Sequence, residues 1–120
     1  MYLKILFIDD DAEDVEILIE KLKEDGFVPQ YLQVDTAASF MTALNESWDI
    51  VLVDFHIPGM ELDATLKTIR KKCGDIPVVL VSGRASEEAL AAAMQLGERL
   101  FIKRQFNPLG AYSTSGINGG

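Results

Sequence analysis

The stretch "ILFIDDD", residues 5–11, drives four apolar residues straight into three aspartates. Two carboxylates ~4 Å apart repel by about 4 kcal/mol even at an effective dielectric near 20, so a chain that stacks them needs something to offset the cost. Comparable endings recur. Asp54 closes "DIVLVD", Ser82 and Gly83 close "PVVLVSG", and Lys103 and Arg104 close "LFIKR". If these segments finish at one edge, three carboxylates (Asp9, Asp10 and Asp54), a hydroxyl and a cation converge there. An all-oxygen set built from carboxylates is what a hard divalent ion such as Mg²⁺ prefers, and the ion offsets their repulsion. A single aspartate after a strand is ordinarily a helix cap, which is the reading for Asp11, Glu13 and Asp14. Capping does not account for carboxylates on two strands with a hydroxyl and a cation on the next two.

The elements that would position these residues alternate along the chain. Apolar runs at Leu3–Ile8, Tyr31–Val34, Ile50–Phe55, Val78–Val81 and Leu100–Ile102 carry buried-strand signals. Between them lie helical stripes. Val15, Leu18, Ile19 and Leu22 end before Gly26, and Ala37, Phe40, Met41 and Leu44 follow the cap candidates Asp35 and Thr36. Leu62, Leu66, Ile69 and Cys73 run into the basic triplet Arg70–Lys72, read as a solvated helix end. A fourth helix starts at Ser86 with Leu90, Ala93 and Met94 on one face. Strict alternation predicts an α/β domain: a doubly wound five-stranded parallel sheet with helices on both faces. Sites in such sheets lie at the carboxyl ends of the strands, where the chemistry-bearing residues stand.

Composition narrows the function. The 120 residues are 48% apolar and 25% charged, which suits one soluble domain. The longest apolar runs fall far short of the ~20 residues of a membrane helix, and the N-terminus reads as a strand rather than a signal peptide. With 19 acidic against 11 basic residues the net charge is −8, which argues against direct nucleic-acid binding. The single cysteine, Cys73, offers no internal disulfide and no zinc site, suits a cytoplasmic location, and falls on a core stripe.

The pattern resembles the receiver domain of two-component response regulators over residues 2 to about 106. The residues that carry the likeness are the acidic pair in "IDD", an aspartate four residues before a proline in "DFHIPGM", "SG" after the fourth strand, and a basic residue after the fifth preceded by the aromatic Phe101. The resemblance implies a flavodoxin-like fold of strand order 2-1-3-4-5. It implies Asp54 as phosphoacceptor, Asp10 and Asp54 as direct Mg²⁺ ligands, the His56 main-chain carbonyl as a third, and Asp9 holding a metal-bound water. Ser82 would hydrogen-bond the arriving phosphoryl group, while Ser82 and Phe101 would act as the switch pair. His56 and Arg84 would flank the phosphoryl group. The implied partners are a sensor histidine kinase or phosphotransfer protein and an output partner at the face of the fourth helix and fifth strand. The implied catalysis is limited to the domain's own phosphorylation and dephosphorylation.

The chain departs from the family at three places. No proline follows the strand-5 cation: counting from Ser82 favours Arg104 as the site cation, while the end of the apolar run and the rebuilt loop favour Lys103, which is preferred. Leu62 stands where the family commonly has glycine. "NPLGAYSTSGINGG", residues 107–120, holds four glycines and no apolar stripe, so the fifth helix is expected to be missing or atypical, leaving residues 1–106 as the domain proper. The sheet face so uncovered predicts a homodimer. The alternative reading is a non-phosphorylated pseudo-receiver that acts as a protein interaction module. A flavodoxin-like cofactor binder fits poorly, because the acidic first loop has no phosphate-cradling glycines.

Overall fold

A computed structural model describes residues 1–55, 57–82, 91, 94, 95 and 99–102, and for 99–102 the backbone alone. The strands β1 (Tyr2–Ile8), β2 (Val28–Val34), β3 (Ile50–Asp54), β4 (Val78–Ser82) and β5 (Arg99–Ile102) form one parallel sheet in the order β2-β1-β3-β4-β5. The helices α1 (Ala12–Glu24), α2 (Ala37–Ala43) and α3 (Leu62–Cys73) connect the first four strands. Of the expected fourth helix only Ala91, Met94 and Gln95 are described, and all three are helical, with Met94 74% exposed rather than part of an apolar seam. The loop after β5 and the 107–120 tail lie outside the described residues.

Right-handed crossovers put α1 on one face of the sheet and α2 and α3 on the other, because the chain leaves β1 in one direction and β2 in the opposite one. The two cores follow from period-2 alternation along β1. Leu6 and Ile8 point to the α2/α3 side, where they pack with Val51, Val53, Leu66, Ile69 and Leu80. Ile5 and Phe7 point to the α1 side and pack with Val15, Leu18, Ile19 and Val81. A groove of about 330 Å³ beside α1 is lined by Leu3, Leu22, Ile50, Leu52 and Val79 among others, so the described residues cover this face less fully.

Local chemistry sets the ends of the helices. Asp11 caps α1 by accepting from the N–H groups of Glu13 and Asp14. Gly26, at φ +93°, ends it, with Gly26 N–H donating to Lys23 O and Phe27 N–H to Leu22 O, the paired closure that only a left-handed residue permits. Thr36 and Ser39 form a reciprocal capping box on α2.

Three expectations need correction. Only Val34 of β2 is buried, because β2 is an edge strand with Val28, Tyr31 and Leu32 exposed. On α2 the buried positions are Phe40, Ala43 and Leu44, while Ala37 and Met41 face outward. The helix is only seven residues long, so its buried stripe is narrower than four residues. Arg70 is not merely a solvated helix end, since its Nη1 donates to the Ile76 carbonyl at 2.7 Å and closes the turn into β4.

Candidate functional site

Asp9 and Asp10 follow β1 directly, and Asp54 is the last residue of β3, the neighbouring strand. One carboxylate oxygen from each lies within 4.8 Å of the other two. Burial is graded: Asp9 is 2% exposed, Asp54 is half-buried and Asp10 faces solvent. Two ligands on one Mg²⁺ stand at most about 4.2 Å apart, twice a bond of about 2.1 Å. Three oxygens within 4.8 Å of one another are near enough to share one hard divalent ion, directly or with one carboxylate acting through water. The donor set, all hard oxygen, fits a divalent ion of this class.

The strand ladder places the remaining group. Asp54 pairs with Val81, and the Phe55 N–H donates to Val81 O at 2.7 Å, so Ser82 follows one residue further at the same edge. Ser82 is buried, at 5% exposure, and Ile102 of β5 pairs with it. Phe101 is placed by its backbone alone, opposite Val81. His56, Gly83, Arg84, Lys103 and Arg104, and the side chain of Phe101, lie outside the described residues.

After Asp54 the chain turns sharply. Ile57, Pro58, Gly59 and Met60 form a tight turn closed by Met60 N–H on Ile57 O at 3.1 Å, with Gly59 at φ +82°. Proline then glycine in the central positions is the pairing a type II turn demands. Ile57 is buried by this turn, and the space it leaves beside Asp54 is only about 10 Å³, room for about one water. The Leu62 departure is harmless here: it opens α3 and packs partly buried on the core.

Asp11 belongs to α1 rather than to the cluster. Its carboxylate caps the helix, while its N–H donates to Asp9 Oδ1 at 2.9 Å. One contact was not legible in the sequence: Gln33 of β2 donates from Nε2 to the Asp9 main-chain carbonyl at 2.8 Å. Its only trace was a polar residue between Leu32 and Val34 in an otherwise apolar strand end.

The family model of the response regulator receiver domain matches residues 5–110. The chain is 30% identical over 108 residues to the phosphate regulon transcriptional regulatory protein PhoB of Escherichia coli (strain K12), covering 88% of this chain and 46% of that protein. It is 34% identical over 107 residues to the CpxR homolog of Haemophilus influenzae, covering 87% and 44%. The chain thus spans less than half the length of these relatives. Among solved structures it is similar in fold to the Mn²⁺-bound form of response regulator Rcp1, with a TM-score of 0.71 at 19% identity, covering 89% of this chain and 84% of that one. It is likewise similar to TrrA of Thermotoga maritima in complex with Mg²⁺-BeF, with a TM-score of 0.67 at 22% identity, covering 88% and 89%. The sheet order, the carboxylates gathered at its edge and the family match over most of the sequence lead to one conclusion: the chain belongs to the receiver domain family of two-component response regulators.

Proposed function

We propose that this receiver domain is a phosphorylation-controlled switch that accepts a phosphoryl group on Asp54 from a histidine kinase or phosphotransfer protein. The observation that carries this is the approach of the Asp9, Asp10 and Asp54 carboxylates to within 4.8 Å at the ends of adjacent strands, with Ser82 on the next strand. Mg²⁺ suits the cluster, with Asp10 and Asp54 as ligands, the His56 carbonyl as a third, and Asp9 acting through water. The Mn²⁺ and Mg²⁺-BeF complexes of two fold neighbours support that choice. When bound, the ion neutralises phosphoryl oxygens and spreads their charge.

An Asp54 carboxylate oxygen forms the bond to phosphorus as the donor's bond to phosphorus breaks, and the leaving nitrogen keeps the electron pair and takes a proton. Asp10 and Asp9 hold the neutralising charge in place. Lys103, or Arg104 in its stead, balances the added charge of about −1.5 to −2. Ser82 donates its hydroxyl to a phosphoryl oxygen, and Phe101 fills the space that Ser82 leaves. That shift biases the face of the fourth helix and fifth strand toward an output partner. Turnover is confined to the domain's own phosphorylation and dephosphorylation. Self-association through the groove beside α1 accompanies this reading, and sedimentation showing only monomer at roughly tens of micromolar removes that part of it.

The test is intact-mass spectrometry after incubation with Mg²⁺ and acetyl phosphate. The wild type gains one phosphoryl group and Asp54→Asn gains none. Equal labelling of the two overturns the assignment.

A further inference from the structure

Asp9 is held at three points, two on its backbone and one on its side chain. Its N–H donates to Val34 O at 3.0 Å, its carbonyl accepts from Gln33 Nε2 at 2.8 Å, and its carboxylate accepts from Asp11 N–H at 2.9 Å. The middle bond differs in kind. Evenly spaced parallel pairing, with Asp9 N–H on Val34 O, would next bring the Thr36 N–H to the Asp9 carbonyl. That donor is engaged elsewhere: Thr36 caps α2, and its N–H donates to Ser39 Oγ at 3.2 Å. The ladder thus ends one bond early, and the Gln33 side chain supplies the missing donor. Gln33 can do so because it pairs with Phe7, two residues before Asp9, and side chains two apart on a strand share a face.

The carbonyl that Gln33 grips belongs to the peptide joining Asp9 to Asp10. Fixing that peptide plane fixes the direction in which the Asp10 side chain leaves the backbone, and Asp10 is the exposed member of the cluster. We propose that Gln33 is a positioning residue for the carboxylate cluster: it touches no ion, but sets the Asp9–Asp10 peptide so that the Asp10 carboxylate stands within reach of Asp54. A groove between this residue and the ion's ligands is not needed, because the coupling runs through one hydrogen bond and one peptide plane. Outer partners of this kind change metal affinity by about 10- to 100-fold when removed.

This inference rests on the reading of Asp9, Asp10 and Asp54 as a divalent-ion site, and the experiment separates the two. Mn²⁺ is titrated into the phosphoryl-free protein and followed by electron paramagnetic resonance, under conditions where urea denaturation shows every variant fully folded. Wild-type binding that Asp10→Asn leaves unchanged overturns the ion-site reading itself. If Asp10→Asn weakens binding, Gln33→Leu, which keeps the bulk and removes the donor, is expected to weaken it about tenfold. Gln33→Asn, one methylene too short to reach, is expected to do the same and serves if the leucine variant does not fold. Trp48→Phe, at the opposite end of β3, is the control for general destabilisation and is expected to leave Mn²⁺ affinity unchanged. Affinity within twofold of wild type in the Gln33 variants overturns the proposal, and so does an equal loss in Trp48→Phe.

Discussion

The Asp11 N–H donates to the Asp9 carboxylate at 2.9 Å while the Asp11 carboxylate caps α1, so consecutive aspartates serve different ends. Asp11 orders the loop and starts the helix, Asp9 is drawn inward and buried, and Asp10 is left facing solvent beside Asp54.

Asp11→Ala removes an acceptor for two helix N–H groups and is expected to cost about 1 kcal/mol of stability. Its N–H still reaches Asp9, so Mn²⁺ affinity should change by less than about threefold, far less than a lost outer partner would bring. Urea denaturation and an Mn²⁺ titration check the two halves separately. A large loss of affinity with little loss of stability would place Asp11 in the ion site instead.

Asp10→Asn is expected to act in opposite directions on binding and folding. It removes one of three carboxylates, so Mg²⁺ affinity should fall at least about tenfold. Without an ion, the same change relieves repulsion that amounts to roughly 1 kcal/mol at about 5 Å in a water-like dielectric, so the ion-free domain should melt at a higher temperature. Thermal denaturation in chelator and calorimetric Mg²⁺ titration report the two effects.

Trp48→Phe tests the other end of the sheet. Trp48 Nε1–H donates to Ala43 O at 2.8 Å in a buried setting, and the Lys4 ammonium lies 5.0 Å from the ring centroid. Phenylalanine leaves the Ala43 carbonyl without this donor, at an expected cost of about 1–3 kcal/mol. Because the only tryptophan is lost, circular dichroism in urea is the suitable probe.

Cys73 should be a slow thiol. Burial pushes it above its ordinary value of 9.0, and the opposing pull of Lys72 is the smaller effect. A thiol whose folded value lies above its unfolded value adds stability at pH below 9.0, and that contribution is lost as the pH rises through the folded value. Iodoacetamide at pH 8 should therefore modify native Cys73 more slowly than the urea-unfolded chain, with the gap narrowing at higher pH. Equal rates at pH 8 would contradict the shift.

The order of strands and helices was written in the sequence because alternation needs only local information. Apolar runs of strand length, helical stripes between them and the right-handed crossover rule together predict a parallel sheet. The sheet then carries Asp9, Asp10, Asp54 and Ser82 to one edge. What depends on the third dimension was not legible. The exposure of β2 follows from its edge position, which its apolar composition does not disclose. Asp11 was legible as a cap, but nothing in the letters separates Asp9 from Asp10 in burial: only the folded loop buries Asp9, with its carboxylate on the Asp11 N–H, and leaves Asp10 exposed. The bond from Gln33 to Asp9 spans 24 positions and exists because Thr36 N–H is engaged by the cap of α2, a competition between two turns that meet only once the chain has folded.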